Sequence, residues 1–377
     1  MAKKAYIGAE NLARKIKKGY LGIEALARKV KKAYIGIGGL ARPCWGGGAL
    51  AYYGAVTALS AAADFPAGAK AGSYGLIGGG KNSAYLTAVN AYSASLVRSS
   101  PTALSTARYR LAAANVGEYA LFAGGSSGNT SYYNTLDAYS GSLVRTTPAA
   151  LTAARSYLAA AAMGGYAFFA GGTPSRYNVT YAVDVFDASL TKKSVPALSQ
   201  ARTELAAAVA GGYAMFAGGA DGSYGTTYST VDAFDASLTR TVPTALSRTR
   251  YSMAGVSVGG HALFAGGYGG GAKLAVVDAY DASLTRTLPE TLSVIKDYPM
   301  SACVGDFAII AGGGAGGAPW YTETADAYDA SLTKTGLQSM SSALAHGAGV
   351  SVGDFALFGG GYNSNGYASD VEAYVVA

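Results

Sequence analysis

The chain has 377 residues, and its 53 glycines make glycine about twice as frequent as the usual ~7%. Only 14% of the residues are charged, 50% are hydrophobic, and 29 tyrosines stand beside 11 phenylalanines and two tryptophans. This composition excludes a disordered chain, which would contain fewer apolar and aromatic residues, and glycine does not recur at every third position as in collagen. It predicts one large all-β domain with many short strands and turns.

The formal net charge of +7 is distributed unevenly. Residues 1–42 contain 11 of the 29 basic residues and two of the 22 acidic ones, so this segment carries +9 and the rest of the chain −2. The main body has no basic patch of the nucleic-acid-binding kind, and we expect no specific nucleic-acid partner. The two cysteines, Cys44 and Cys303, are too few for a disulfide framework or a zinc site. We also expect no signal peptide and no membrane span.

Residues 1–48 form a basic leader made of 14-residue repeats. Three copies, KKAYIGAENLARKI, KKGYLGIEALARKV and KKAYIGIGGLARPC, fill residues 3–44. One interpretation makes each copy a hairpin, with strands at 3–8 and 12–18 in the first. Another makes a basic amphipathic helix, because Leu12, Ile16 and Tyr20 recur at a spacing of four. Repeated glycines disfavour a long helix, so short strands are preferred, and a solvated tail is the third alternative.

Residues 49–377 contain seven units of about 47 residues, each with an apolar run that ends in a double glycine. The first glycines are Gly78, Gly124, Gly171, Gly218, Gly266, Gly312 and Gly359. In the third unit the pattern predicts strands at 155–163, 166–172, 181–186 and 190–194. Four short antiparallel strands in a repeat of 40–50 residues are typical of a β-propeller blade. The predicted fold is therefore all-β, a seven-bladed β-propeller.

The two ends of the repeat region complement each other. The last unit stops at its third strand, Asp370 to Tyr374, whereas a surplus strand at 51–54 precedes the first unit. An open sheet edge invites unwanted association. We therefore expect the N-terminal strand to complete the seventh blade.

The repeat unit resembles a Kelch repeat, because a strand ends in Gly-Gly and, after a loop, a Val-Asp-Ala-Tyr strand such as Val277 to Tyr280 follows. It departs from Kelch repeats where Leu238 or Leu284 stands in place of their usual tryptophan. The leader is similar to the KKxYIGxxxxAR repeats of phage and prophage structural or tail-associated proteins. That resemblance implies a virion protein made in the bacterial cytoplasm, whose residues 1–42 bind other virion proteins or self-associate.

Length variation between units is confined to the loop between the second and third strands, which is how binding surfaces on rigid scaffolds are commonly built. These loops, at 126–134, 173–181, 220–228, 268–274, 314–324 and 361–368, are rich in Tyr, Ser, Gly and Asn, the mixture that paratopes favour. The alternative is that they are ordinary polar loops. The candidate ligand-binding residues are Tyr132, Tyr133, Arg176, Tyr177, Tyr224, Tyr228, Tyr268, Trp320, Tyr321, Tyr362 and Tyr367.

A second candidate is a row of cations sixteen residues before each double glycine. It consists of Arg108, Arg155, Arg202, Arg250 and Lys296, and it is broken by Ala62 and Ala343. At the mouth of a propeller channel such a ring would attract an anion. The preferred interpretation is structural, with each cation paired to a neighbouring blade's acid or backbone.

Catalytic and metal-binding patterns are weak. His261 and His346 lie in different blades, and the sequence contains no three-ligand metal set, nucleophile triad or phosphate-binding glycine motif. We expect no metal, no cofactor and no enzymatic activity. The favoured function is a binding propeller in a phage particle that recognises a host-surface glycan or protein. The alternatives are an intracellular, cytoplasmic protein-interaction scaffold and, third, a carbohydrate-active enzyme.

Overall fold

In the computed structural model, residues 49–376 are described with their side chains, and the leader is described only as four backbone strands between residues 20 and 45. The described residues of the repeat region form seven four-stranded antiparallel sheets. In each of the first six sheets the strands follow one another in chain order, from the propeller axis outward. The predicted seven-bladed β-propeller is confirmed.

The strands of the first three blades are Ala67–Ala71, Tyr74–Gly78, Val89–Tyr92 and Arg98–Ser99; Ala112–Val116, Tyr119–Ala123, Leu136–Tyr139 and Arg145–Thr146; and Ala159–Met163, Tyr166–Ala170, Val183–Asp187 and Lys192–Lys193. Those of the next three are Ala206–Ala210, Tyr213–Ala217, Val231–Phe234 and Arg240–Thr241; Ala254–Val258, His261–Ala265, Val277–Tyr280 and Arg286–Thr287; and Met300–Val304, Phe307–Ala311, Ala325–Asp329 and Lys334–Gly336. Three short two-stranded sheets lie outside the blades. They are Tyr268–Gly269 with Ala272–Lys273, Lys296–Asp297 with Gly314–Ala315, and Tyr362–Asn363 with Gly366–Tyr367.

The seventh blade is closed by the N-terminal strand, as the sequence predicted. Ala348–Val352, Phe355–Gly359 and Val371–Val376 supply three strands, and Leu50–Ala55 pairs antiparallel with Val371–Val376 as the fourth. The hydroxyl of Tyr52 donates a hydrogen bond of 2.5 Å to the buried carboxylate of Glu372. The first and last strands of the repeat region therefore belong to one sheet, and the seventh blade has four strands like the other six.

The burial pattern explains why the strand sequences differ. Second strands such as Tyr119–Ala123 are buried on both faces after their first residue, because each sheet is packed between two others, and they are continuously apolar. First strands such as Ala112–Val116 alternate buried and more open positions, because one side faces the axis. Seven apolar clusters lie among the described residues, one between each pair of adjacent blades. Each innermost strand contacts the next, and the seventh contacts the first.

The first strand of the third blade begins at Ala159, not at Arg155 as the sequence pattern predicted. Tyr157 has a φ of 53°, in the left-handed region, and this conformation cannot continue a strand. Residues 155–158 instead belong to the segment that connects the second blade to the third. The strand prediction was therefore too long at this end, and the same conformation recurs in every blade.

The double glycines end the second strands. Gly171 and Gly172 have φ of 65° and 106°, and a Cβ on Gly172 would lie 2.6 Å from the carbonyl oxygen of Ser156. The N–H of Gly172 donates to the carbonyl of Arg202 in the connection to the next blade. In the first and seventh blades these roles belong to Gly79–Gly80 and Gly360–Gly361, one residue later than the sequence count placed them.

In the leader, Tyr20–Ile23 pairs with Leu26–Lys29, and Ala33–Ile37 pairs with Leu40–Trp45, both antiparallel. The second and third 14-residue copies are thus hairpins, as the preferred interpretation predicted. The predicted hairpin of the first copy, and the assembly role of residues 1–42, lie outside the described residues. Within the described part of the chain, no helix is long and apolar enough to cross a membrane.

The seam of the seventh blade predicts different outcomes for two truncations. Removing residues 1–42 should leave the thermal unfolding midpoint nearly unchanged, whereas removing 1–60 deletes Leu50–Ala55 and should lower it by on the order of 10 °C or more. Circular dichroism during heating measures both midpoints. If the two truncated proteins unfold at the same temperature, strand closure contributes little to stability.

Candidate functional site

The four arginines of the predicted cation row are fully buried, not displayed at a channel mouth. Each is paired with the acid in the third strand of its own blade, and not with a neighbouring blade's acid as the sequence suggested. The nitrogen–oxygen distances are 2.7 Å for Arg108–Asp137, 2.8 Å for Arg155–Asp184, 2.8 Å for Arg202–Asp232 and 2.7 Å for Arg250–Asp278. A charge without solvent contact is not available to a ligand in solution, which leaves the structural interpretation.

Each buried pair links two blades. The N–H and carbonyl of Arg108 bond to Leu86 and Gly80 of the first blade, while its guanidinium bonds to Asp137 and to the carbonyl of Phe122 in the second. Asp137 also accepts hydrogen bonds from the N–H and hydroxyl of Ser105 in the connecting segment. A buried ion pair needs further hydrogen bonds to its groups to be favourable. Here the carboxylate of Asp137 and the terminal nitrogens of Arg108 have them, whereas the buried Nε of Arg108 has no partner.

The row is interrupted in three blades. The true counterparts of Arg108 in the first and seventh blades are Ala63 and Leu344, because the glycine register there is shifted by one residue. The third-strand position that holds Asp137 in the second blade holds Asn90 in the first and Glu372 in the seventh. Neither of these blades has an arginine at the buried position. In the sixth blade Lys296 replaces the arginine and its ammonium bonds to Thr324. Burial lowers the pKa of Lys296 from 10.5 to about 8.

A different row faces the axis on the end that carries the loops between second and third strands, which we call the loop face. Two residues beyond each buried cation position, one residue per blade has a left-handed φ between 46° and 61°. We call these the axial residues: Phe65, Arg110, Tyr157, Glu204, Ser252, Tyr298 and His346. Non-glycine residues in this conformation are uncommon and tend to occur where function holds them.

The axial residues are fixed by a closed circle of backbone hydrogen bonds. Each axial N–H donates to the axial carbonyl of the preceding blade at 2.8–3.3 Å, and the bond from Phe65 to His346 completes the circle. Since every backbone group in the circle is paired within it, the side chains are free to differ. They do differ, and each is larger than the alanine that begins most of the first strands two residues later.

Glu204 is held by three hydroxyl donors. Tyr224 donates to its Oε1 at 2.5 Å, Tyr298 donates to its Oε2 at 2.5 Å, and the Ser252 hydroxyl also donates to Oε2. Burial, and next the charge of Glu204, raise the pKa values of Tyr224 and Tyr298 well above 10. Both phenols therefore remain protonated donors at neutral pH, and they fix the carboxylate in one orientation.

Arg110 is held between aromatic rings. Its guanidinium carbon lies 4.3 Å from the ring centres of both Tyr109 and Tyr157, and 5.5 Å from that of Phe65. Its buried Nε has no hydrogen-bond partner, and no ion pair to Arg110 forms among residues 49–376. Cation–π contacts of this kind stabilise a guanidinium without neutralising its charge.

His346 completes the circle next to Phe65. The two rings are stacked with centres 4.2 Å apart and planes 12° apart, and Tyr298 meets His346 edge-on at 4.5 Å. His346 Nδ1 lies 3.0 Å from a carboxylate oxygen of Asp64. This side of the axis is therefore a flat aromatic wall with its polar groups paired.

Two adjoining cavities open on the loop face. The central cavity, of about 190 Å³, is lined by Phe65, Arg110, Tyr157, Glu204 and Tyr298 among others. The side cavity, of about 320 Å³, is lined by Lys273, Asp297, Tyr298, Gly314, Trp320, Tyr321 and His346. Tyr298 lines both cavities, and the stacked rings of Phe65 and His346 line one cavity each; we call the two adjoining cavities the depression.

Of the loop residues predicted from sequence, two line this depression and a third donates a hydrogen bond to a residue of its lining. Trp320 and Tyr321 line the side cavity, Tyr224 bonds to Glu204, and Tyr268 packs on Tyr251, which also packs on Tyr224. Trp320 is 68% exposed and Tyr177 is 63% exposed.

The other predicted loop residues form the rim or have local roles. Arg176 lies over Tyr177, its guanidinium carbon 4.8 Å from the ring centre. Tyr362 packs against Tyr321 and Tyr367. Within their own loops, the Tyr133 hydroxyl bonds to Ser127, the Tyr132 hydroxyl to the Asn129 carbonyl, and the Tyr228 N–H to the Gly219 carbonyl.

Sequence reasoning missed the axial residues. A signal was present, because the position fourteen residues before each structural double glycine holds Phe, Arg, Tyr, Glu, Ser, Tyr or His while nearby positions repeat small or apolar residues. A variable column inside a regular repeat indicates a position that the fold does not dictate. Among the described residues, no group of three or more His, Cys, Asp or Glu side chains is placed to hold a metal.

Comparison with known proteins supports the fold. No protein-family model and no curated protein sequence matches this chain. The solved structure of YjhT is similar, with a TM-score of 0.60 and 13% sequence identity, and the match covers 75% of this chain and 99% of YjhT. At this identity the likeness establishes a shared β-propeller architecture and nothing further.

The buried pair of the second blade predicts a strong and specific loss of stability. Asp137→Asn leaves Arg108 buried without a counter-charge and should lower the free energy of unfolding by about 3–5 kcal/mol. Arg108→Met combined with Asp137→Asn removes both charges, as the first blade does naturally, and should recover much of that loss. Arg145→Gln is the control, because Arg145 is partly exposed and 3.6 Å from the same carboxylate, and it should cost below about 1 kcal/mol. Denaturant titration measures all three.

Lys296 predicts a pH-dependent difference in stability. Its pKa of about 8 in the folded protein lies below the 10.5 of the unfolded chain, so between these values the unfolded state binds more protons and stability rises with pH. Relative to Lys296→Met, the wild-type free energy of unfolding should rise by up to about 1.4 kcal/mol per pH unit between pH 8 and 10.5. A difference that is constant with pH would mean that Lys296 is not desolvated.

Proposed function

We propose that this protein is a non-enzymatic binding propeller that recognises a glycan or protein on a host cell surface through its loop face. The observation that carries the proposal is the exposure of aromatic side chains in the loops of this face. Trp320, which lines the side cavity, and Tyr177 and Tyr181 are each at least 60% exposed. Large aromatic rings are costly to leave in water without a use, and exposed apolar groups around a cavity are typical of ligand sites.

The chemistry of the loops supports recognition. Tyrosine and tryptophan provide rigid contact area at low entropic cost, and Ser, Gly and Asn in the same loops provide adaptable hydrogen bonds. The scaffold beneath is rigid, because the circle of axial hydrogen bonds and the buried ion pairs hold the seven connecting segments in place. Binding would therefore require little ordering of the backbone, which favours affinity.

The polar groups of the depression support binding in preference to catalysis. Hydrolysis of a glycosidic bond commonly requires two carboxyl groups on opposite sides of the bond. Glu204 is the single carboxylate among the residues that line the central cavity, and protein hydroxyls donate to it in a fixed arrangement. In the side cavity Asp297 is paired with Lys273 at 2.9 Å.

The virion role rests on the sequence resemblances. The 14-residue leader repeats are similar to those of phage and prophage structural or tail-associated proteins, and the blades resemble Kelch repeats, which commonly build binding propellers. In this proposal residues 1–42 attach the propeller to other virion proteins or to further copies of itself, and the loop face is presented to the host. The protein is then made in the bacterial cytoplasm and carried in the particle.

The exposed aromatic residues provide the test of the loop face. Tyr177→Ala and Trp320→Ala, singly and together, should reduce host-cell or glycan binding by tenfold or more and leave the unfolding midpoint unchanged, because neither ring is buried. Val97→Ala and Val144→Ala are matched controls, since these side chains are 64% and 60% exposed in turns at the opposite end of the propeller. Binding of fluorescent protein to cells and to a glycan array is the measurement.

Binding that survives the double substitution would exclude this surface as the site. Binding to bacterial cytosolic proteins, with none to cells or glycans, would favour the intracellular scaffold instead.

A further inference from the structure

The central cavity contains two charged groups that differ in how they are satisfied. Glu204 accepts three hydrogen bonds from protein hydroxyls, whereas Arg110 has no hydrogen bond or ion pair to its guanidinium among the described residues. The rings of Tyr109 and Tyr157 pack against that guanidinium, each with its centre 4.3 Å from the guanidinium carbon. Arg110 also lines the central cavity, where its N–H groups match the two oxygens of an oxyanion.

From this geometry we infer that the central cavity binds the carboxylate of an acidic saccharide on Arg110, with the hydroxyl side of the same sugar facing Glu204. The inference deepens the proposed recognition of a host-surface glycan, and it rests on that proposal. A sugar acid fits because it carries both an anion for Arg110 and hydroxyl donors for Glu204, whose Oε1 accepts only one protein hydrogen bond. The aromatic side chains of Phe65 and Tyr157 also line this cavity and give it apolar surface for contact with a sugar.

The side cavity predicts that the ligand is longer than one sugar. It adjoins the central cavity at Tyr298, which lines both, and it presents Trp320, which is 68% exposed, together with Tyr321. An exposed tryptophan offers a face for a second sugar, while the Lys273–Asp297 pair offers both donors and acceptors to its hydroxyls. The carboxylate of the first sugar then provides specificity at Arg110, and the second sugar provides contact area at Trp320.

The first test compares ligands on the full-length protein. A glycan array should show binding to saccharides that contain a uronic or other sugar acid, and little binding to the matching saccharides in which the carboxyl group is reduced to an alcohol. Calorimetry with a uronic-acid disaccharide, its methyl ester, a sugar phosphate and a glutamate-rich peptide identifies the source of the oxyanion. Preferential binding of the sugar phosphate or the peptide, or equal binding of acid and ester, would overturn the assignment.

The second test compares arginine variants inside the cavity and outside the loop face. Arg110→Gln should weaken binding of the acidic saccharide about 10- to 100-fold, the range expected when a charged hydrogen-bonding partner is lost, and should leave the weak binding of the ester unchanged. Arg145→Gln is the control, because Arg145 lies on the outermost strand of the second blade and is not part of the loop face, and it should have no effect on binding. Arg110→Lys keeps the charge and should restore part of the affinity. Unchanged thermal unfolding shows that each variant is folded.

The outcomes separate this inference from the function on which it rests. If Trp320→Ala abolishes cell binding while Arg110→Gln leaves it intact, the loop face binds its ligand but the assignment to Arg110 is wrong. If no acidic saccharide binds and cell binding is also insensitive to Trp320→Ala, both proposals fail. Loss of binding in both variants, with a preference for the acid over its ester, supports both.

Discussion

The structure depends on the requirement that seven sheets share one narrow axis. The innermost strands approach so closely that a Cβ on Gly255 would lie 2.2 Å from the carbonyl oxygen of Ala207, and one on Gly349 would lie 2.0 Å from that of Ser301. Only very small side chains fit there, which is why the first strands are rich in Ala, Gly and Ser. The large apolar side chains that stabilise the fold are accordingly on the second strands, where Phe122, Phe168 and their equivalents fill the space between blades.

The same convergence produces the candidate site. Where each connecting segment reaches the axis, its backbone turns through a left-handed residue and bonds to the equivalent residue of the preceding blade. The circle of hydrogen bonds compensates for that unfavourable conformation and needs nothing from the side chains. Seven side chains of any kind can therefore be presented together, and here they include the hydroxyl-bound Glu204 and the unpaired Arg110. The variable loops add Trp320 and Tyr321 around them.

The acid of the third strand is buried in most blades and needs hydrogen-bond donors. The arginine–aspartate blades and the seventh blade supply these donors differently. In blades two to five an arginine from the connecting segment and an acid from the third strand meet without water, and serine or threonine hydroxyls complete the carboxylate's hydrogen bonds. In the seventh blade the position of the arginine is held by Leu344, and Glu372 accepts hydrogen bonds from Tyr52 of the closing strand and from Ser341. The N-terminal strand thus supplies the fourth strand of the seventh blade and, through Tyr52, a hydrogen-bond donor to Glu372 where blades two to five use an arginine.

The sequence alone determined the number of blades, the order of their strands and the closing of the seventh blade by residues 51–54, because each follows from a period of 47 residues and a count of strands. It also located the variable loops and their aromatic residues. It did not determine that the arginine row is buried, since the alternatives of a solvent-facing ring and an internal pair have the same spacing. Nor did it reveal the axial residues, which follow one another at intervals of 45 to 48 positions in the chain and become neighbours only when the ring closes. Arg110 and Glu204 line one cavity because the tertiary structure brings seven left-handed turns to a single axis, and no local pattern of residues encodes that meeting.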